Sequence, residues 1–280
     1  MNITVATNEM IPALSSLWRC AFGDSQDYID LFFARRFPTA RGMVVMDGMR
    51  PLSMLFLLPL TVASGDRFWN ARYLYAVATD PDAQGQGLST ALLSQTHRLL
   101  EMQGVDLSFL VPATSSLFDY YGARGFDTQF YLSKQVLSAD PMGEMQPLTR
   151  VTLSKMRPLR DRCFANCALF ARWDEKALDY QDLEASFSGG ETLKFQTDMG
   201  IGYALCIPSH NTVWIKELAA VGNLTPIYNA IAHRYGCAQM EIRRPARTIQ
   251  TAVPFGMARW YTAPPSGEGE YLPYLSLVLD

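Results

Sequence analysis

Residues 73–89 read YLYAVATDPDAQGQGLS, and their types and order assemble an anion cradle. A buried strand runs into a turn punctuated by Gly85 and Gly87, which opens an amphipathic helix. Two side chains are thereby removed from the turn, and successive main-chain N–H groups converge at the positive end of the helix dipole. Gln84, Gly85, Gln86, Gly87, Leu88, Ser89 and Thr90 are the candidate phosphate ligands, and the expected guest is a nucleotide-bearing cofactor. The loop holds no cation of its own. Asp82 precedes it and Gln84 and Gln86 flank Gly85, so the grip falls to neutral peptide groups, which are weaker than charge-assisted donors. A lone pair of glycines also suits an ordinary tight turn, so the setting carries the weight.

The elements that position this cradle are legible on either side of it. Leu14, Leu17, Trp18, Ala21 and Phe22 recur at helical spacing, and Ile29, Phe32 and Phe33 continue a second helix towards Pro38. Residues 43–46, the Asp47-Gly48 turn and residues 52–58 form a hairpin, and Ser64-Gly65-Asp66 turns the chain into a strand over 73–79. Leu88, Ala91, Leu92, Gln95 and Leu99 then share one helix face. Residues 107–111 form the next strand, 115–124 a short helix and 126–136 a closing strand, which ends a first domain at 1–137. The linker 138–147, SADPMGEMQP, is rich in proline, glycine and charge.

Residues 147–280 read as a faint second copy. Ala204 to Ile207 before Pro208 echo Leu55 to Leu58 before Pro59, and 213–218 echoes the strand 73–79. A helical stripe of Leu224, Ile227, Tyr228, Ile231 and Tyr235 leads to a strand ending in Pro245-Ala246, like Pro112-Ala113. Element order supports an internal duplication. AAVGN, which replaces the glycine loop, lacks the G-x-G spacing, so the copy is expected to bind no phosphate. It would bury the flank of the first domain, shape a substrate cleft, or form the contact of a homo-oligomer.

Composition bounds the rest. The 280 residues are 49% hydrophobic, enough for two modest domains. A formal net charge of −3 offers no basic field to a nucleic-acid backbone or an anionic membrane and argues against both as partners. No export signal precedes the fold, and the longest apolar run, 52–62, is broken by Pro59 and too short to span a bilayer, so a soluble, cytoplasmic protein is expected. Cys20, Cys163, Cys167, Cys206 and Cys237 fit no disulfide framework. Cys163 and Cys167 lie four apart on a predicted helix, but His97, His210 and His233 are too scattered to complete a zinc site. Buried, reduced thiols and no metal are expected.

Thr79-Asp80-Pro81-Asp82-Ala83-Gln84-Gly85-Gln86-Gly87-Leu88, followed by Tyr121-Gly122-Ala123-Arg124-Gly125-Phe126, resembles the signature of the GNAT superfamily of acetyl-CoA-dependent N-acetyltransferases. The tandem layout and the opening LWRCAFGDSQDYIDLFF resemble its Eis-type branch, in which an active GNAT domain precedes a degenerate one. The likeness covers most of 1–137 and, more loosely, the rest. It implies an α/β (α+β) fold of tandem GNAT domains, each a mixed, mostly antiparallel sheet flanked by helices, with acetyl-CoA as cosubstrate. Members of that branch often carry a further C-terminal lipid-carrier-like domain, for which this chain has no room. Asp82 departs from the family's Gln or Arg, and Gln84 and Gln86 stand where arginines are common.

The resemblance further implies that the pantetheine arm pairs like an added strand with Val77, Ala78 and Thr79, where the neighbouring strand splays away and Pro112 ends its pairing. The N–H of Val77 or Ala78 would polarise the thioester carbonyl. Direct attack by a primary amine, whether a small-molecule amine, an aminoglycoside or a lysine side chain, gives a tetrahedral intermediate that expels the thiolate. Tyr121, four residues before Gly125, is the candidate acid, protonated at neutral pH; Tyr120 takes its place if the helix register shifts by one. No carboxylate on the strand 73–79 serves as base, which leaves a chain of waters or, as in Eis-type enzymes, the terminal carboxylate, here Asp280 after a strand YLSLVLD. Trp18, Phe22, Tyr28, Phe32 and Phe33 either wall the acceptor site or are helical core. Asp24, Asp27 and Asp30 either make the cleft acidic, suiting a polycationic acceptor, or cap and solvate a helix. Two other readings stand beside the transferase: a catalytically silent acyl-CoA-binding or interaction protein, and a tandem-GNAT aminoacyltransferase with a charged RNA donor.

Overall fold

In the computed structural model, which describes residues 2–279, one mixed, mostly antiparallel sheet of thirteen strands runs through the molecule with helices on its faces. The first half begins with β1 (Asn2–Val5), α1 (Ile11–Phe22) and α2 (Gln26–Arg35). Pro12 sits at the start of α1, Gly23 ends it at φ 75°, and the Ser25 hydroxyl caps α2 by accepting from the Tyr28 amide. Next come β2 (Arg41–Asp47), β3 (Arg50–Ser64), β4 (Arg67–Thr79), α3 (Leu88–Met102), β5 (Leu107–Leu110), α4 (Ser116–Gly122) and β6 (Asp127–Ser138). β3 is nearly continuous in apolar residues because both its faces are covered, by α1 on one side and α3 on the other. Pro59 lies inside it opposite Arg72 of β4, and on its other edge it falls in the gap between the end of the β2 pairing at Leu57 and the start of the β8 pairing at Thr61.

The second half contains β7 (Thr149–Arg150), α5 (Arg157–Phe164), β8 (Phe170–Arg172), α6 (Glu175–Phe187), β9 (Glu191–Thr197), β10 (Gly200–Ser209), β11 (Thr212–Ala219), α7 (Thr225–Tyr235), β12 (Gln239–Pro245) and β13 (Val253–Trp260). Its core order repeats that of the first half. β9, β10 and β11 pair antiparallel, α7 crosses over, and β12 joins β11 in parallel, as β2, β3, β4, α3 and β5 do before them. The closing strands are exchanged: β13 inserts between β5 and β6, while β6 pairs on its other edge with β12. Each half therefore closes the other, and the sheet is continuous across them. In the loop before α7, the carboxylate of Asp198 accepts from the Asn223 amide at 2.7 Å, so an anion of the protein's own occupies that turn.

α3 is tied to the exchanged strand by His97, whose Nδ1 lies 2.7 Å from the hydroxyl of Tyr261, itself 2.8 Å from Ser108 Oγ. Burial, with Arg259 nearby, pushes the His97 imidazole down to about 4. An unfolded histidine takes up a proton near pH 6.5 while His97 stays neutral in the fold, so its contribution is complete above pH 6.5 and is lost as the pH falls towards 4. Urea unfolding at pH 7 and pH 5 is expected to show this loss, and His97→Gln to reduce the difference.

The cysteines are free; Cys20 is exposed rather than buried, because it sits on the solvent face of α1, Cys163 is half-buried, and Cys167 lies beyond the end of α5 rather than on it. Residues 274–279, the described part of YLSLVLD, do not form the expected strand. Tyr274 makes an isolated bridge, as does Tyr271 before it, and Leu277 takes a left-handed φ of 56° that breaks any ladder. The segment is nevertheless buried from Tyr274 to Leu279. Asp280 lies outside the described residues. No helix among those described is long and apolar enough to cross a membrane.

Candidate active site

β3 and β4 pair without interruption from Ser64 and Arg67 to Phe56 and Tyr75, then resume at Met54 and Ala78, so β4 carries one more residue than β3 across that gap. The bulge centres on Ala76, whose φ of 49° is uncommon for a residue with a Cβ and costs on the order of 1 kcal/mol. On its other edge β4 pairs with β5 only at Ala71, Arg72 and Tyr73. Beyond Tyr73 the two strands part, and residues 74–77 border a cleft of about 1070 Å³ whose far wall includes Val111, Pro112 and Tyr121. Val77 lines this cleft. Ala78 is buried and its carbonyl accepts from Ser53 Oγ at 2.7 Å, and Thr79 Oγ1 lies 3.0 Å from the same hydroxyl.

The glycine loop opens α3 as expected. Gly85 and Gly87 have φ of 74° and 75°, yet a Cβ at either would meet nothing within 4 Å. The left-handed backbone, not crowding, is what demands glycine, and the turn stays open to a ligand. Gln84, Gly85, Gln86 and Gly87 are exposed, whereas the side chain of Leu88 is buried under α3, leaving only its amide for the cradle. The first in-helix bond is made by the Ala91 amide, so the amides of Leu88, Ser89 and Thr90 are those a helix leaves open at its start.

A cation does reach this turn, from a distant part of the chain. Arg124, just past α4, donates from Nε at 3.1 Å and from Nη2 at 2.7 Å to Thr90 Oγ1, and its guanidinium stacks 3.4 Å above the ring of Tyr120. Tyr120 in turn donates to Ser89 Oγ at 2.9 Å. Arg124 stood inside the YGARGF motif, but nothing in the sequence pointed it at the loop. The same geometry separates the two tyrosines: Tyr120 is committed to Ser89, while Tyr121 lines the cleft. Tyr121 is 7% exposed, and burial, with Tyr120 beside it, pushes its phenol up to about 12.

The opposite wall of the cleft combines both halves of the chain. Trp18, Phe22, Asp24 and Tyr28 come from α1, α2 and the turn between them, and Lys134, Glu184, Trp214, Lys216 and Arg243 come from β6 and the second half. Phe32 and Phe33 are core instead. Asp24 accepts from Trp18 Nε1 at 2.7 Å, and Asp30 accepts from Gln26 on the surface. With Lys134, Lys216 and Arg243 present the cleft is of mixed charge rather than acidic. Leu279 also lines it, and its carbonyl accepts from the Tyr73 hydroxyl at 3.3 Å. Among the described residues no group of three His, Cys, Asp or Glu side chains is placed to hold a metal ion.

A mixed sheet whose fourth and fifth strands part beside a bulge, with a glycine-opened helix at the gap, defines a GNAT acetyltransferase fold. Residues 2–128 match the acetyltransferase (GNAT) domain family. Solved structures similar to the whole chain include a probable N-acyltransferase of Enterococcus faecalis V583 (TM-score 0.73, 16% identity, covering 93% of this chain and 72% of the other). A GCN5-related N-acetyltransferase of Anabaena variabilis has TM-score 0.72 at 14% identity, covering 93% of this chain and 73% of its own. Eis1 of Mycobacterium abscessus has TM-score 0.66 at 11% identity, covering 93% and 74%. At these identities the likeness is one of fold. No curated protein matches the sequence.

Proposed function

We propose that the chain is an acetyl-CoA-dependent N-acetyltransferase acting on a primary amine. The observation that carries this reading is the opened edge of β4 beside the start of α3, which offers a slot for an extended arm and a cradle for a diphosphate within one cleft system. The residues fit the cosubstrate: open amides at 88–90, two left-handed glycines and the cation of Arg124 meet a diphosphate, and the bulged strand leaves Val77 facing the slot. When bound, acetyl-CoA supplies a thioester whose acyl carbon the amine attacks. The amide of Val77 or Ala78 polarises the carbonyl. The Tyr121 hydroxyl, its phenol pushed up by burial and so protonated at neutral pH, donates to the departing sulfur.

Thiol release from acetyl-CoA is expected with at least one acceptor from a panel of aminoglycosides, polyamines and lysine peptides. No release with any of them, together with no calorimetric binding of coenzyme A, overturns the proposal. Within the same reading Arg124 supplies the charge that the loop lacks, so Arg124→Ala is expected to weaken coenzyme A binding by roughly 10- to 100-fold in calorimetry, the range for a hydrogen bond to a charged group.

A further inference from the structure

β4 itself offers no carboxylate to take the proton of the attacking amine. We propose that Tyr75 takes this proton from the amine and passes it through Tyr28 to Glu184, a carboxylate supplied by the second half of the chain; the proposal rests on the transferase reading. Tyr75 Oη and Tyr28 Oη are 2.9 Å apart, and Tyr28 Oη lies 3.1 Å from Glu184 Oε1. An ionised carboxylate can only accept, so the single proton of Tyr28 is committed to Glu184. The proton of Tyr75 must then point to Tyr28, which leaves the remaining lone pairs of Tyr75 Oη for a donor in the cleft. All three residues line that cleft, and Tyr75 immediately precedes the bulge at Ala76, so an acceptor nitrogen hydrogen-bonded to Tyr75 sits beside the parted edge of β4.

The transfer balances. The N–H bond breaks and its electron pair stays on nitrogen; Tyr75 gains that proton and gives its own to Tyr28, which gives its own to Glu184. One proton moves from nitrogen to carboxylate and both phenols end neutral. Burial holds both phenols well above their ordinary range, so neither persists as a phenolate. Among the described residues, the groups facing the chain include Lys216 from β11, whose Nζ lies 3.4 Å from Glu184 Oε2, Tyr180 from α6, Tyr73 from β4 and Asp24 from the α1–α2 turn. Lys134 and Arg243 border the same cleft. Tyr75 touches the acceptor and is catalytic; Tyr28 and Glu184 act through it and are positioning residues.

The test is kcat against pH for the full chain, with acetyl-CoA and the amine that gives the fastest thiol release. In Glu184→Gln and Tyr28→Phe, kcat at pH 7 is expected to fall about tenfold or more with KM for acetyl-CoA unchanged. It should then climb towards wild type as the pH rises, where hydroxide in the cleft takes the proton of the attacking nitrogen in the relay's place. Calorimetry of the same amine with the protein alone gives a reading independent of turnover: Tyr75→Phe, lacking the acceptor oxygen, is expected to bind it about fivefold more weakly. Wild-type turnover with unchanged variant profiles overturns the relay and leaves the transferase reading standing, as does a uniform loss at every pH accompanied by a lowered Tm. Absence of wild-type turnover overturns both.

Discussion

Replacing Tyr121 by phenylalanine is expected to lower kcat by about 10²- to 10⁴-fold, the range for removal of a positioned general acid, while coenzyme A binds as before. The substitution removes one oxygen from a ring that is otherwise retained. Its edge-to-face contacts with Tyr120 and Phe126, at centroid distances of 5.1 and 5.9 Å, do not involve the hydroxyl. The fold should therefore survive, and the loss should fall on turnover. A departing thiolate must gain a proton or leave as the anion; only the first route needs Tyr121. Acetyl-CoA titration by calorimetry beside thiol-release kinetics separates the cases. Turnover unchanged in Tyr121→Phe assigns the proton to another donor, and a protein that binds coenzyme A but releases no thiol in either form is a binder without catalysis.

The parts of this site that sequence could place are those written in local pattern. Gly85 and Gly87 announce a turn wherever they stand, and the apolar spacing of Leu88, Leu92 and Leu99 fixes the helix after it, so the turn and the helix it opens were legible. The start of β4 was not: Arg67, Asn70 and Arg72 interrupt the apolar alternation at its solvent end, and only 73–79 reads as strand. What pattern could not carry is contact between distant segments. Arg124 meets Thr90 only because α4 packs against the start of α3, and Glu184 reaches Tyr28 across 156 residues from a helix with little amphipathic signal. The exchange of β6 and β13 is invisible for the same reason: two closing strands of similar composition satisfy either partner's hydrogen bonds, and only the tertiary arrangement selects one. YLSLVLD alternates like a strand, yet the residues around Leu277 bury their side chains without a ladder, held by side-chain hydrogen bonds that no periodicity encodes.

Those bonds lead to the second large effect. Arg160 and Glu217 are both fully buried, with the guanidinium Nε 3.2 and 3.1 Å from the two carboxylate oxygens and Nη2 3.1 Å from Glu217 Oε2. Arg160 also donates to the Ala171 carbonyl at 2.7 Å and to Ser276 Oγ at 3.1 Å, while the hydroxyls of Tyr203 and Ser276 donate to Glu217. Glu217→Ala leaves a buried guanidinium without its counter-charge and is expected to cost about 3–5 kcal/mol of stability in urea unfolding, whereas replacing both partners by apolar residues of similar volume should cost far less. The pair also does something an apolar filler cannot. Ser276 is bound through its hydroxyl to the ion pair and through its carbonyl to Trp173 Nε1 at 2.9 Å, and three residues later the Leu279 carbonyl takes its hydrogen bond from Tyr73 at the cleft. An Arg160→Met, Glu217→Leu double variant that regains stability should therefore still loosen the segment that ends against Tyr73. If thiol release falls in this variant while its unfolding midpoint matches wild type, the buried pair serves to place residues 276–279 at the cleft; if both are restored together, its role is confined to the core.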